Sequence, residues 1–478
     1  MDEQYKLEHE KFVQNNNGTT FFETCSLLTI LPVSILFQRV VFSCFLNSEK
    51  IPLPLGLRFI LELMFIILPF IVSVTYTQLT LFLIIGMLIT CLTVPLFAHK
   101  NIKIYFKNPK ELLQDLNSSR KSFLEEYRSF IMLATCVCIL AVDFKIFPRR
   151  FGKTETYGIS LMDIGVGSVV LSGALVSRQA RYHFIKKQQH DREKDKQAAS
   201  GSGSGGKIEL SRGALVWHQL VAQAPLMVLG FVRMLLTKST NYQEHVSEYG
   251  VHWNFFFTLG FVAIFLAFMN FSPNVNGALG VLIIVGYQML LQSGLSDYIL
   301  HHPRDSLLAA NKEGICSIAG YLAIYLIGIK LGDSLFKTRN TIRDWLKYSL
   351  RLLATSVLFY VLWYLCEIYI DKTSRRMANL GYVLAILSLN LFNFSINILI
   401  SILTGHQNSS VIAKSVNRNQ LFIFLLGNIL TGLTNFSMKT IYATEETAMI
   451  VICSYTFILS LVALLLDYKN ITIKFWAK

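Results

Sequence analysis

The 478-residue chain is 53% hydrophobic and only 15% charged, with a mean hydropathy of +0.47; a soluble protein would carry roughly 25% charged residues. That composition excludes an ordinary soluble globular protein. Its net charge of +14 does not indicate a nucleic-acid binder, because the cations gather in loops between apolar runs, where orientation bias and anionic lipid account for them.

Apolar runs long enough to cross a bilayer as helices recur along the chain. They lack the short apolar/polar alternation of a transmembrane barrel, so the expectation is an all-α, polytopic membrane protein forming one membrane-embedded domain over residues 1–478. The N-terminus is polar through residue 22 and shows no cleavable signal. Thirteen spans are then expected, at 24–44, 55–75, 78–97, 129–147, 158–177, 213–236, 252–271, 277–293, 315–331, 346–370, 378–403, 420–437 and 446–466.

With thirteen spans, the basic loops 98–128, 178–212 and 332–345 and the C-terminal tail share one side, which the positive-inside rule makes cytosolic. The N-terminus then faces a lumen or the exterior, and the sequon Asn17-Gly18-Thr19 is compatible with that. Within the 178–212 loop, "AASGSGSGGK" (198–207) reads as an engineered Gly/Ser linker. The eight cysteines lie mostly inside apolar runs with no metal-like spacing and read as small hydrophobes.

The opposite, short loops hold the unusual polar residues. The first carries Asp143, Arg149, Arg150, Lys153, Glu155 and, in the next span, Asp163. An ionisable side chain in a span is costly unless paired or facing water. The two aspartates therefore need partners, which the neighbouring cations could supply. They either pin two helices together or line a substrate cavity.

The second loop, "YQEHVSEYGVHWNFF" (242–256), holds Glu244, His245, Glu248, His252 and Asn254. On a helix its Glu/His row shares a face, but it lacks the HExxH spacing of a zinc site. A hydrogen-bonded patch for a polar headgroup is expected rather than a metal. The third loop holds Asn311 and Glu313, and the fourth holds Arg375, Arg376 and Asn379. The paired arginines either anchor a span at the interface or fork onto a phosphate. Neither a Walker loop nor a GxSxG elbow is present.

Five blocks carry a resemblance: "ILAVDFKIFPRRFGKTETYGISLMDIGVGSVV" (139–170), "YQEHVSEYGVHWNFF", "NKEGICSIAGY" (311–321), "SRRMANL" (374–380) and "NRNQLFIFLLGNILTGLTN" (417–435). In order and over most of the chain, they resemble the GPI-anchored wall transfer protein family, called phosphatidylinositol-glycan class W in animals. Family members more often carry Pro where Lys145 stands and Arg where Lys312 stands. The resemblance implies an endoplasmic-reticulum multi-pass enzyme with a lumenal N-terminus and a cytosolic C-terminus. It would transfer a palmitoyl group from palmitoyl-CoA, a co-substrate rather than a permanently bound cofactor, to the inositol of glucosaminyl-phosphatidylinositol.

Acyl transfer to an alcohol needs a base at the hydroxyl and donors at the developing oxyanion. Asp143 is the expected base, with Lys153 orienting it and steadying the thioester oxyanion; His252 is the alternative base. Arg149, Arg150, Arg375 and Arg376 are candidates for phosphates. Glu155, Asp163, Glu244, His245, Asn254, Asn311, Glu313 and Asn379 are candidates for sugar and inositol hydroxyls. Cys136 and Cys138 precede Asp143 in apolar surroundings, where a thiol stays protonated, which favours direct transfer over an acyl-enzyme. Membrane lipids are the other expected partners. A lipid flippase or proton-coupled transporter is the competing class, although such proteins usually show internal repeats with broken midplane helices.

Overall fold

In the computed structural model, the residues described are 3–14, 16–44, 53–97, 109–185, 212–239, 246–269, 271–405 and 409–473. Those residues are helical apart from turns and one isolated bridge, Thr19 to Ile159. Each of the thirteen expected ranges coincides with a helix. Among the described residues, nine helices are long and apolar enough to cross a membrane.

The other four differ for physical reasons. Ser122–Ala141 carries Glu125, Glu126 and Arg128 in its first two turns, and ends before Asp143 rather than running to 147. Leu161–Leu175 and Phe255–Phe268 are shorter than a full span, and within the helix Arg212–Ser239 the apolar stretch among the described residues is Gln223–Leu235. The Gly/Ser stretch 198–207 lies outside the described residues, as do 98–108 and 474–478.

Interruptions in the helices have local causes. A π turn at Leu63–Ile67 precedes Pro69, a residue with no N–H for the α-helical ladder. A second π turn, Leu291–Leu295, contains Gly294 at φ 113°, a backbone state that glycine tolerates.

The chain divides into two compact units. The first comprises Met1–Val169, Arg339–Lys372 and Leu384–Lys474. Its most buried span is Leu380–Thr404, which meets Ile342–Tyr369 through two reciprocal serine pairs. Ser349 and Ser395 each donate to the other's carbonyl at 2.9 and 2.8 Å, and Ser356 and Ser388 do so at 2.8 and 2.9 Å. Both pairs recur at a seven-residue interval, which places them on the facing sides of antiparallel helices. Deeper in the unit, Arg39 grips Glu126 at 2.7 Å. Glu62 accepts from Val411 N and Ile412 N at 3.1 and 3.0 Å, a carboxylate seated on the positive end of the helix Val411–Arg418.

The second unit comprises Val170–Thr338, Thr373–Val383 and Phe475–Lys478. Its central helix, Lys312–Phe336, is notched by glycines. A methyl on Gly328 would meet Ala174 Cβ at 2.6 Å, and one on Gly320 would meet the Ala378 carbonyl at 1.9 Å. Small residues there admit close backbone approach, which holds helices together where no hydrophobic force acts between them.

Candidate active site

The candidate residues fall into two groups, one in each unit. In the first unit, the helix Ser122–Ala141 stops where a run of tight turns begins. Phe144 N bonds Ala141 O at 3.0 Å, Phe151 N bonds Pro148 O at 3.0 Å, and Gly152 N bonds Arg149 O at 2.8 Å. Phe144, Phe147 and Phe151 are fully buried and anchor this turn segment.

Arg149 closes the helix end. Its Nη2 donates to the carbonyls of Val142, Phe144 and Phe147 at 2.7, 3.2 and 3.0 Å, a cation at the negative end of a helix. Burial pulls this guanidinium down to about 10 against the opposing pull of the Asp143 carboxylate, so it remains cationic at neutral pH. Its Nε and Nη1 are buried and have no hydrogen-bond partner among the described residues. The ring of Phe12 covers the guanidinium, with its centroid 3.9 Å from Cζ.

Asp143 is 6% exposed. Asn435 donates from Nδ2 to its Oδ2 at 2.8 Å, and His9 Nε2 stands 3.5 Å from its Oδ1. Sequence reasoning passed over both partners. Asn435 closes the last of the five resembling blocks. His9 lies on an N-terminal helix, Glu3–Val13, where Tyr5, His9 and Phe12 follow the spacing of a single helix face. That periodicity was the available signal. Of the cations expected to partner the two aspartates, Arg149 feels the charge of Asp143, while Arg150 turns elsewhere. Arg150 forks onto Glu23 at 3.0 and 2.9 Å and reaches Thr77 Oγ1 at 3.0 Å.

Asp163 receives Thr154 N, Thr154 Oγ1 and Ser160 Oγ at 3.2, 2.9 and 2.8 Å, tying the loop to the start of the helix Leu161–Leu175. Glu155 is half-buried, and its N–H meets Asn16 O at 3.2 Å. Lys153, also half-buried, follows Gly152 directly, ten residues beyond Asp143. Cys136 and Cys138 are buried in the preceding helix.

In the second unit, Glu244 and His245 lie outside the described residues. Glu248 pairs with the buried Arg375 at 3.1 Å. Glu313, fully buried, takes Arg376 at 2.7 Å and Arg304 at 2.6 Å. Arg304 was not anticipated; it lies in "HHPRD" (301–305), outside the four polar loops. The asparagines serve the backbone. Asn254 caps Phe255–Phe268 by accepting from Phe256 N at 3.0 Å, and Asn379 accepts from Ser374 N and Tyr382 N at 3.1 Å. Asn311 accepts from His252 N at 2.8 Å. Among the described residues, no three His, Cys, Asp or Glu side chains come together to hold a metal.

The chain matches the GWT1 family over residues 5–466. It is 68% identical to the phosphatidylinositol-glycan biosynthesis class W protein of Dictyostelium discoideum, over 100% of both chains. It is 33% identical to GPI-anchored wall transfer protein 1 of Schizosaccharomyces pombe over 96% of this chain and 97% of that one. Against the protein of the same name from Aspergillus fumigatus it is 39% identical over 73% of each.

Proposed function

The chain belongs to the GWT1 family of GPI-anchor biosynthesis proteins, and from that premise we propose that it is an acyl-CoA-dependent inositol O-acyltransferase. Its acceptor is the inositol ring of glucosaminyl-phosphatidylinositol and its donor is palmitoyl-CoA. It acts on the lumenal side of the endoplasmic-reticulum membrane, with the N-terminus lumenal and the C-terminus cytosolic.

The observation that carries this reading is the buried Asp143 carboxylate, held by Asn435 at 2.8 Å with His9 at 3.5 Å. A carboxylate fixed at a helix end, beside a guanidinium with two uncommitted nitrogens, supplies what acyl transfer to an alcohol requires. Asp143 takes the inositol hydroxyl proton as the oxygen attacks the thioester carbonyl. Lys153, or the Nε/Nη1 edge of Arg149, stabilises the oxyanion that develops. The C–S bond then breaks, and the departing CoA thiolate accepts the proton. No acyl-enzyme is needed, and the buried Cys136 and Cys138 have no part in this scheme.

In the second unit, Arg304, Arg375 and Arg376 are already paired with glutamates, so any hold they exert on a lipid phosphate is shared with Glu248 and Glu313. Purified protein supplied with palmitoyl-CoA and glucosaminyl-phosphatidylinositol is expected to yield the inositol-acylated lipid. Asp143→Asn is expected to lower turnover by about 10²-fold or more. Absence of product from the wild-type chain overturns the reading. Near-normal turnover of Asp143→Asn removes Asp143 as base and makes His252→Ala the next variant to assay.

A further inference from the structure

The N-terminal helix Glu3–Val13 is short and polar, and segments at a chain end usually fray unless they are tied down. This one is tied along a single face. Tyr5 Oη meets Thr440 Oγ1 at 3.2 Å and accepts from Ile441 N at 3.4 Å. Four residues on, His9 meets Asp143 at 3.5 Å, and three further on Phe12 covers Arg149 at 3.9 Å. Tyr442 packs edge-on to Tyr5 with centroids 5.6 Å apart and donates its hydroxyl to Glu8.

The central contact of the three is the chemically unusual one. The side chains of His9 and Asp143 are each only 8% exposed. A buried imidazole against a buried carboxylate is an expensive way to dock a helix, since a Leu or Phe at that position would bury apolar surface at no desolvation cost.

We infer that His9 is a positioning residue of the active site, seated by the N-terminal helix against Asp143 to orient that carboxylate and share the proton it accepts. The inference rests on the acyltransferase reading above. The inositol O–H bond breaks as the O–C ester bond forms. The proton passes to the carboxylate–imidazole pair, the C–S bond breaks, and the CoA sulfur takes the proton. His9 itself meets Asp143 and the ring of Tyr5, and the charged and titratable groups packed on its neighbours in the same helix include Arg149 at Phe12, Lys439 at Tyr5 and Tyr442 at Glu8.

The test compares His9→Ala, His9→Gln and Tyr5→Phe in the full-length chain, measuring kcat, KM, the pH-rate profile from about pH 5 to 9 and thermal stability in detergent. Glutamine offers Asp143 an amide donor but takes no proton in this range. His9→Ala is expected to lower kcat by about 10–100-fold with little change in KM, the usual range for losing a group that orients a reactive one. His9→Gln should recover part of that rate and alter the acidic limb of the pH profile. Tyr5→Phe, which loosens the helix but keeps the imidazole, should leave the profile unchanged. Wild-type kcat and an unaltered profile in both His9 variants overturn the inference. So does a loss of rate in His9→Ala that merely tracks its loss of stability, as it would in Tyr5→Phe. A wild-type chain that makes no acylated lipid overturns the acyltransferase reading itself, and this inference with it.

Discussion

Arg376 Nη2 and Arg304 Nη2 converge on one oxygen of Glu313, at 2.7 and 2.6 Å. The carboxylate is fully buried, while Arg304 keeps 28% of its side chain exposed. Removing the acid takes away the carboxylate that both guanidinium groups share, and breaking a buried pair in this way costs roughly 3–5 kcal/mol. Glu313→Ala is therefore expected to depress thermal stability in detergent severely. Glu313→Gln should do so less, because the amide oxygen still accepts. A Glu313→Gln protein of wild-type stability with a raised KM for the lipid acceptor would instead assign the carboxylate to substrate.

Arg149 does two separable things. One nitrogen satisfies three carbonyls at a helix end, while the buried Nε and Nη1 have no hydrogen-bond partner among the described residues. Lysine can serve the carbonyls as a point donor but lacks the second edge of the fork. Arg149→Lys is expected to stay near wild type in stability and to lose about tenfold or more in kcat. Arg149→Met should lose both. An Arg149→Lys enzyme with unchanged kcat removes this edge from the oxyanion role.

The helical class and the helix within each of the thirteen expected ranges were legible because apolar runs and loop charge are local signals. The end of the fourth range was not. Residues 142–147 read as more span, whereas Arg149 draws the chain into turns by taking three of its carbonyls. The partner of Arg150 was hidden for a related reason. Arg150 was near enough in sequence to Asp143, but the acid that meets it is Glu23, 127 residues away. His9 and Asn435 are likewise distant in sequence from Asp143, and only the i, i+4, i+7 face of the first helix hinted at one of them. Asn254 and Asn379, read as hydroxyl ligands, also cap helix starts, a frequent use of that side chain, while Asn311 accepts from His252 N.

The segment carrying Lys153 is closed by two glycines that face each other's strand of chain. Gly158 stands at φ 121°, and a methyl there would lie 2.4 Å from Asn17 O; Gly18 stands at φ 80° against Ile159 O. Between them Thr19 N bonds Ile159 O at 2.7 Å. Gly158→Ala combines a disfavoured backbone with a clash, a cost on the order of 1–3 kcal/mol. Limited proteolysis should nick the 152–160 segment faster in the variant, and activity should fall with it. Equal protection of variant and wild type would show that the loop repacks.

Lys121 is 1% exposed. Its ammonium donates to Leu116 O and sits 4.8 Å above the ring of Trp345. Burial, with Arg339 adding to it, lowers the ammonium to about 7 against the opposing pull of Asp115. The folded value lies below that of the unfolded chain, so between about pH 7 and the ordinary lysine range the unfolded state binds more protons. Stability then rises with pH across that window, and the penalty is fully present below pH 7. Asp115, which burial raises to about 6, works in the other direction: it adds stability that fades as pH climbs from about 4 to 6, outside the lysine window. The wild-type melting temperature in detergent is therefore expected to rise between pH 7 and 9. Lys121→Met should flatten that rise, because methionine fills the same channel beside Trp345 and carries no proton. A variant whose pH dependence from 7 to 9 matches that of the wild type would show that this ammonium stays charged throughout, held by the Leu116 carbonyl and the indole face.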